Sequence, residues 1–176
     1  MESDGPKHLD AFYSTYESSH LRSGSSRRPL AFFHKMSEKL ARKNWMKIFV
    51  AHHEGNPIGS ILLLCYKDAL TYYAGGVDYA AQLLRPHPLL FWETLKWAQR
   101  AGWRWYEMGP HFPYLSKENK MARIGYFKQQ FGGREFPLFE GVLLYHRPLY
   151  YGGTLIEEAY RRFFALYRRI ILMRRS

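Results

Sequence analysis

Little in this sequence can cross-link, ligate a metal or span a bilayer. Cys65 is the only cysteine among 176 residues, which excludes an internal disulfide. It lies in the apolar run SILLLCYK, where cysteine packs as a small, inert hydrophobe. The eight histidines form no H-x-x-x-H pair and join no cysteine pair, so no metal-ligand spacing is present. No apolar run approaches the roughly 20 residues of a membrane span. The opening MESDGPKHLD is polar and acidic, unlike a signal peptide. A reducing, cytoplasmic setting is therefore expected. The G-x-S-x-G, G-x-G-x-x-G and G-x-x-x-x-G-K-[ST] motifs of hydrolases and nucleotide-binding proteins are absent. Acidic residues are also scarce: 15 Asp and Glu against 26 Lys and Arg give a net charge of +11.

What remains is apolar, aromatic and basic. With 47% hydrophobic and 18% aromatic residues, the chain can bury a real core and is not disordered. Its charge favours anionic partners: nucleic acid, phosphorylated cofactors or an anionic membrane face. Periodicity predicts a helix over residues 7–22, the loop SGSSRRP, and a second helix opened by Pro29. Three strands follow in MKIFVAHHEGNPIGSILLLCYKDALTYYAGGVD, broken at HEGNP and YKDA. Pro86 and Pro88 introduce a third helix, which Gly102 ends. WRWYEMG reads as a strand that places Trp103, Trp105 and Glu107 on one face. The helix KMARIGYFKQQFG comes next, then one or two strands in REFPLFEGVLLYHRP, and a long helix from about Thr154. This order predicts an α/β (α+β) fold, a mixed and mainly antiparallel sheet with helices on both faces.

The stretch YFKQQFGG places Lys128 between Phe127 and Phe131, four residues apart and able to share one buried helix face. From the residues alone, Lys128 is either an ordinary lysine near a helix C-terminus or a cation held for chemistry.

Taken together, PLAFFHKM, TYYAGGVD, RPHPLLFWETLKWAQRAGWRWYEMG and YFKQQFGG resemble the GNAT acyltransferase fold. Within it they are most similar to the FemAB-like branch, relatives of the aminoacyltransferases that build peptidoglycan bridges. The similarity spans about residues 29–133, and YESSHLRSG fits as well. Such proteins carry two GNAT-like halves, and this chain looks like the C-terminal half, so the resemblance implies a homodimer or a separate N-terminal half. It divides the chain into a transferase domain over 1–150 and a basic amphipathic helix over 151–176.

The resemblance implies N-acyl transfer from acyl-CoA, acyl-carrier protein or aminoacyl-tRNA to an amine, in cell-wall or envelope-polymer synthesis, with no tightly bound cofactor and no metal. Lys128 and Glu107 are the implied catalytic residues: a cation stabilises oxyanion charge, and a carboxylate deprotonates or anchors the amine. Gly75, Gly76, Arg85, His87 and Phe127 are implied at the donor. Arg22, Arg27, Arg28, Asp78 and His111 are implied at the acceptor. Pro86 and Pro88 depart from the Gly-rich phosphate loop of ordinary acetyltransferases, because proline offers no N–H. The last helix carries a stripe of Ile156, Tyr160, Phe163, Tyr167 and Ile170 between arginines. It is expected to dock on the anionic inner face of the plasma membrane, or to pack as core or dimer seam. The rival reading is a non-catalytic half-enzyme that binds RNA or membrane for a partner.

Overall fold

The computed structural model describes residues 7–159 apart from 140, 142, 147 and 157. The chain forms two compact units, Met1–Glu135 and Phe136–Ser176. In the first, α1 (Leu9–Ser23) and α2 (Leu30–Leu40) precede three strands, β1 (Met46–His53), β2 (Asn56–Tyr66) and β3 (Ala69–Val77). Then come α3 (Pro86–Arg100), the short β4 (Trp105–Glu107) and α4 (Lys120–Gln129). The sheet order is β1-β2-β3-β4, antiparallel throughout except for the parallel β3–β4 pair.

Local chemistry sets these boundaries. Gly24 ends α1 in the left-handed conformation, φ 64°, its N–H directed to Leu21 O. Glu54 and Gly55 both have positive φ (50° and 81°) between paired His53 and Asn56, the backbone a two-residue hairpin needs to match strand twist. Apolar residues on both faces of β2 require helices on both sides. On one face, Leu9, Phe12 and Tyr16 of α1 and Phe33 of α2 pack with Met46, Ile48, Val50 and Leu62. On the other, Leu90, Phe91 and Ala98 of α3 pack with Phe49, Ile61, Leu63, Cys65 and Leu70. Burial raises the Cys65 thiol to about 11, which keeps it protonated and unreactive.

Two expectations are corrected. The strand in WRWYEMG contracts to Trp105–Glu107. Trp103 lies outside it and packs on the α3-side cluster beside Tyr106, not on the face of Trp105 and Glu107, because the turn before β4 breaks the alternation. REFPLFEGVLLYHRP contributes no strand among its described residues. Its Phe136, Leu138, Phe139 and Leu143 are exposed, so no second apolar face holds that stretch flat. In the second unit, residues 148–156 are helical. The rest of the expected apolar stripe, Tyr160 to Ile170, and its flanking arginines lie outside the described residues.

Candidate functional site

The site begins where the sheet splits. β4 pairs with β3 over three residues only, Ala69↔Trp105, Leu70↔Tyr106 and Thr71↔Glu107. Beyond that fork β3 runs on to Val77, while the chain after Glu107 leaves through Met108, Gly109 and Pro110. The last rung is fastened by Thr71 Oγ1, which donates to Glu107 Oε2 at 3.0 Å.

Just past the fork, β3 bulges. Leu63 faces Tyr72 and Leu62 faces Ala74, leaving Tyr73 as the extra residue. The bulge inverts the strand's alternation. Tyr72 packs toward α3 with Phe91, whereas Ala74 packs on the α1 side. Asp78 N donates back to Ile58 O on β2 at 3.0 Å, and Val77 N donates to Ser19 Oγ of α1 at 2.8 Å. By the two-residue period of the ladder, the N–H of Gly75 therefore points away from β2, toward the open side of the fork. An open cleft of about 320 Å³ lies here, lined by Tyr16, His20, Arg28, Phe33 and the β3 segment Tyr72–Gly75.

The two glycines of YYAGGVD have different reasons. A Cβ at Gly76 would fall on the backbone of Thr15 and Tyr16, so glycine lets α1 lie directly on the strand. Thr15 Oγ1 and Ser60 Oγ, 2.5 Å apart, satisfy each other beneath that contact. A Cβ at Gly75 would meet Ser60 O, Tyr72 Oη and His87 Nε2 at 2.6, 2.9 and 3.2 Å. His87, in the first turn of α3, thus turns its Nε2 inward onto β3. That nitrogen is buried, and burial holds the imidazole down at about 4 against the opposing influence of the Ser60 backbone, keeping it neutral.

Lys128 lies across the fork. Phe127 and Phe131 stack around Phe91, with ring centroids 5.7 Å away in each case, and this aromatic clasp fixes the last turn of α4. Lys128 Nζ then reaches Pro110 O at 3.4 Å. It sits over Gly109 (φ 85°), where a Cβ would lie 3.1 Å from it. Partial burial lowers its pKa, an effect opposed by the charge of Glu107. The residues read as catalytic, Lys128 and Glu107, thus converge at the fork, and Phe127 serves the core that holds Lys128 in place.

The other candidates are distributed more widely. Arg28 lines the cleft: its N–H donates to Tyr16 Oη at 3.1 Å and its guanidinium lies over Phe32. Arg22 hydrogen-bonds Gln82 Oε1 at 3.0 Å and stacks on Tyr79. Arg27 pairs with Glu17 at 3.1 Å. Arg85 is exposed in the left-handed conformation, φ 50°, at the head of α3. Asp78 shapes a turn, accepting from Ala80 N at 3.4 Å. His111 packs its ring on Gly125 of α4, where a Cβ would overlap it, and its Nδ1 lies 2.6 Å from Glu135 Oε1.

Sequence reasoning missed Tyr16, His20, Phe33, Tyr72 and Tyr73. Aromatic residues on helix and strand faces read as core, and only the bulge turns Tyr73 outward. Among the described residues, no group of three or more His, Cys, Asp or Glu could hold a metal, and no helix is long and apolar enough to cross a membrane.

Residues 2–116 match the model of the acetyltransferase (GNAT) domain family. A 106-residue stretch, 57% of the chain, is 30% identical to the UDP-N-acetylmuramoylpentapeptide-lysine N(6)-alanyltransferase of Weissella viridescens, and covers 30% of that protein's length. Among solved structures, an aminoglycoside acetyltransferase from an uncultured soil metagenomic sample, in complex with sisomicin, is similar with TM-score 0.57 and 15% identity, over 81% of this chain and 94% of that one. The ribosomal-protein-alanine N-acetyltransferase of Brucella melitensis gives 0.53 and 13%, over 79% and 94%. An aminoglycoside N-acetyltransferase in complex with CoA gives 0.51 and 18%, over 82% and 91%. At these identities the structural likeness speaks for the fold alone.

Proposed function

The chain belongs to the GNAT acetyltransferase domain family, and we propose that it is an N-acyltransferase of the FemAB-like kind, moving an aminoacyl or other acyl group from an activated donor to an amine of an envelope-polymer precursor. The observation that carries this reading is the half-buried ammonium of Lys128, held over Gly109–Pro110 at the β3–β4 fork and facing the charge of Glu107.

In this reading the donor carbonyl enters the fork. The amine nitrogen attacks it, forming the new C–N bond and a tetrahedral oxyanion. In this proposal the N–H of Gly75 and the Lys128 ammonium stabilise that charge. Glu107 receives or relays the proton the amine must lose. Collapse of the intermediate breaks the carbonyl's bond to its leaving group and expels a thiolate or a ribose oxygen, which takes up a proton. Holding amine and carbonyl together supplies much of the rate. Arg28 in the cleft, with Arg22 and Arg27 nearby in sequence, suits an anionic acceptor. Asp78 and His111 are proposed to border that acceptor region.

The head of α3 bears on the donor. Pro86 and Pro88 occupy its first turn, removing two of the N–H groups that a helix start offers a pyrophosphate, while Arg85 remains as a cation. This favours aminoacyl-tRNA over acetyl-CoA. The similarity to an alanyltransferase supports the same direction. A second half or second copy completing the acceptor side, and a peripheral site at the inner membrane face with residues 151–176 as the anchoring helix, belong to the same proposal.

The test is transfer from alanyl-tRNA, acetyl-CoA and acyl-carrier protein to a lysine-containing muropeptide precursor, with wild type and Lys128→Met. Methionine keeps the bulk and helix propensity without the charge. A loss of roughly 10²–10³ in kcat is expected, with the melting temperature unchanged. A folded variant that keeps wild-type turnover returns Lys128 to the role of a surface lysine. No transfer by wild type from any of the donors favours the non-catalytic reading.

A further inference from the structure

The end of the sheet opposite the cleft carries a surface that acyl transfer does not use. Trp45 precedes β1, Tyr66 closes β2 and Trp105 opens β4. Backbone hydrogen bonds tie these three chain segments together. Cys65 N donates to Trp45 O at 2.8 Å, and Asp68 O accepts from both Arg104 N and Trp105 N, at 3.0 and 3.1 Å. Tyr66 pairs with Ala69, and Ala69 with Trp105, so the two aromatic side chains stand on the same face. Trp45 meets Tyr66 edge to face, with centroids 5.6 Å apart. All three rings are large and well exposed: 37% for Trp45, 58% for Tyr66 and 49% for Trp105.

A cation lies over each ring. Lys43 Nζ is 4.5 Å from the Trp45 centroid, Lys67 Nζ 5.5 Å from Tyr66 and the Arg104 guanidinium 5.6 Å from Trp105. Lys47, with its Nζ 3.4 Å from Asn44 Oδ1, adds a fourth positive charge. Asp68 is the one acid within residues 43–47, 65–69 and 104–105, and Glu107 follows two residues after Trp105.

We propose that this end of the sheet docks the folded domain on an anionic membrane surface. Tryptophan and tyrosine pair an apolar ring with a polar edge and settle at the headgroup level of a bilayer. Lysine and arginine beside them meet lipid phosphate while their stems cover the rings. The interlocked turns hold the backbone beneath these side chains in place before binding, so little backbone freedom is lost on docking. Single-stranded nucleic acid fits less well, because it stacks bases on open ring faces along a groove, and here each ring carries a cation. The cleft at Tyr73–Gly75 begins about 13 Å further along β3 and extends to about 20 Å, so docking leaves it open. The proposal depends neither on the transferase reading nor on the last helix.

The full chain is mixed with vesicles of phosphatidylglycerol and phosphatidylcholine carrying brominated acyl chains, and with pure phosphatidylcholine vesicles. Tryptophan fluorescence is expected to be quenched on the anionic vesicles only. Trp45→Phe with Trp105→Phe should remove most of the quenching while the protein keeps its melting temperature. Lys43→Gln, Lys67→Gln and Arg104→Gln together should weaken partitioning by roughly a hundredfold. The proposal is overturned by absence of binding, by binding without quenching, or by quenching that survives the double tryptophan change. It is also overturned if these variants lose binding to a single-stranded oligoribonucleotide and keep binding to vesicles. Trp45→Phe, Lys43→Gln and Lys67→Gln lie outside β4 and its Glu107, so transfer between soluble substrates should be unchanged by them, which separates failure here from failure of the transferase reading.

Discussion

Lys128 is subject to two opposed influences. Burial disfavours its charge and the Glu107 carboxylate favours it, with burial the larger. If the charged form assists transfer, the rate rises with pH as the acceptor amine deprotonates, then falls as Lys128 loses its proton below the ordinary lysine value of 10.5. Lys128→Arg places in that position a guanidinium that does not deprotonate. The alkaline limb of kcat/KM against pH should then disappear, whatever the loss in absolute rate. An unchanged limb would assign it to another group. His87 gives a separate pH signature, in stability. Its folded value of about 4 lies below the unfolded 6.5, so the unfolded chain takes up a proton first as pH falls. Stability is full above pH 6.5 and declines as pH falls toward 4, by up to about 3 kcal/mol. In melts across pH 4–7, His87→Gln should flatten that decline, and an unaltered slope would show that other groups cause it.

At the scale of elements, the cleft depends on how closely helices approach β3. Gly76 lets the α1 backbone rest on the strand, and α1 brings Tyr16 and His20 to the cleft. Gly76→Ala should separate helix from strand and cost about 3 kcal/mol or more, since neither backbone can yield as a flexible side chain would. Gly132→Ala is the control. It has open space but a φ of 76°, and should cost only about 1 kcal/mol. Denaturant midpoints of the two variants make the comparison, and equal losses would refute the packing argument. On the opposite face, Phe91 is the hub on which Tyr72, His87, Phe127 and Phe131 converge. Phe91→Ala should cost about 3–5 kcal/mol and loosen Lys128 through α4, lowering activity even in the fraction that stays folded.

For the molecule as a whole, the excess of +11 acts at long range and is screened by salt. If aminoacyl-tRNA is the donor, many phosphates shed counterions on binding, and log K should fall steeply with log salt. Acetyl-CoA presents far fewer phosphates and should show a shallow slope. Parallel titrations with both ligands between about 50 and 200 mM salt, over which six to ten phosphate contacts lose roughly 10³–10⁵ in affinity, distinguish the two. A shallow slope with tight CoA binding would reverse the donor preference read from the prolines of α3.

Much of this was legible in the order of residues. Hydrophobic period, the turns at HEGNP and YKDA, Pro29, Pro86 and Gly102 specified helices and strands because these signals are local: a dihedral, a missing N–H, a stripe on one face. The aromatic clasp of Phe127 and Phe131 beneath Lys128 could be read in the same way. Where local signals were weak, the reading failed. WRWYEMG contracted to three residues and REFPLFEGVLLYHRP formed no strand among its described residues, because strand pairing is decided by neighbours distant in sequence. The cleft itself needed tertiary structure. No pattern announced that β4 would leave β3 after three rungs, or that a bulge at Tyr73 would exchange the faces of Ala74, Gly75 and Gly76. Composition alone specified a basic, aromatic molecule able to bury a core. Only the fold set Lys128 and Glu107 at the fork and turned His87 inward, because that convergence arises from contacts between segments tens of residues apart.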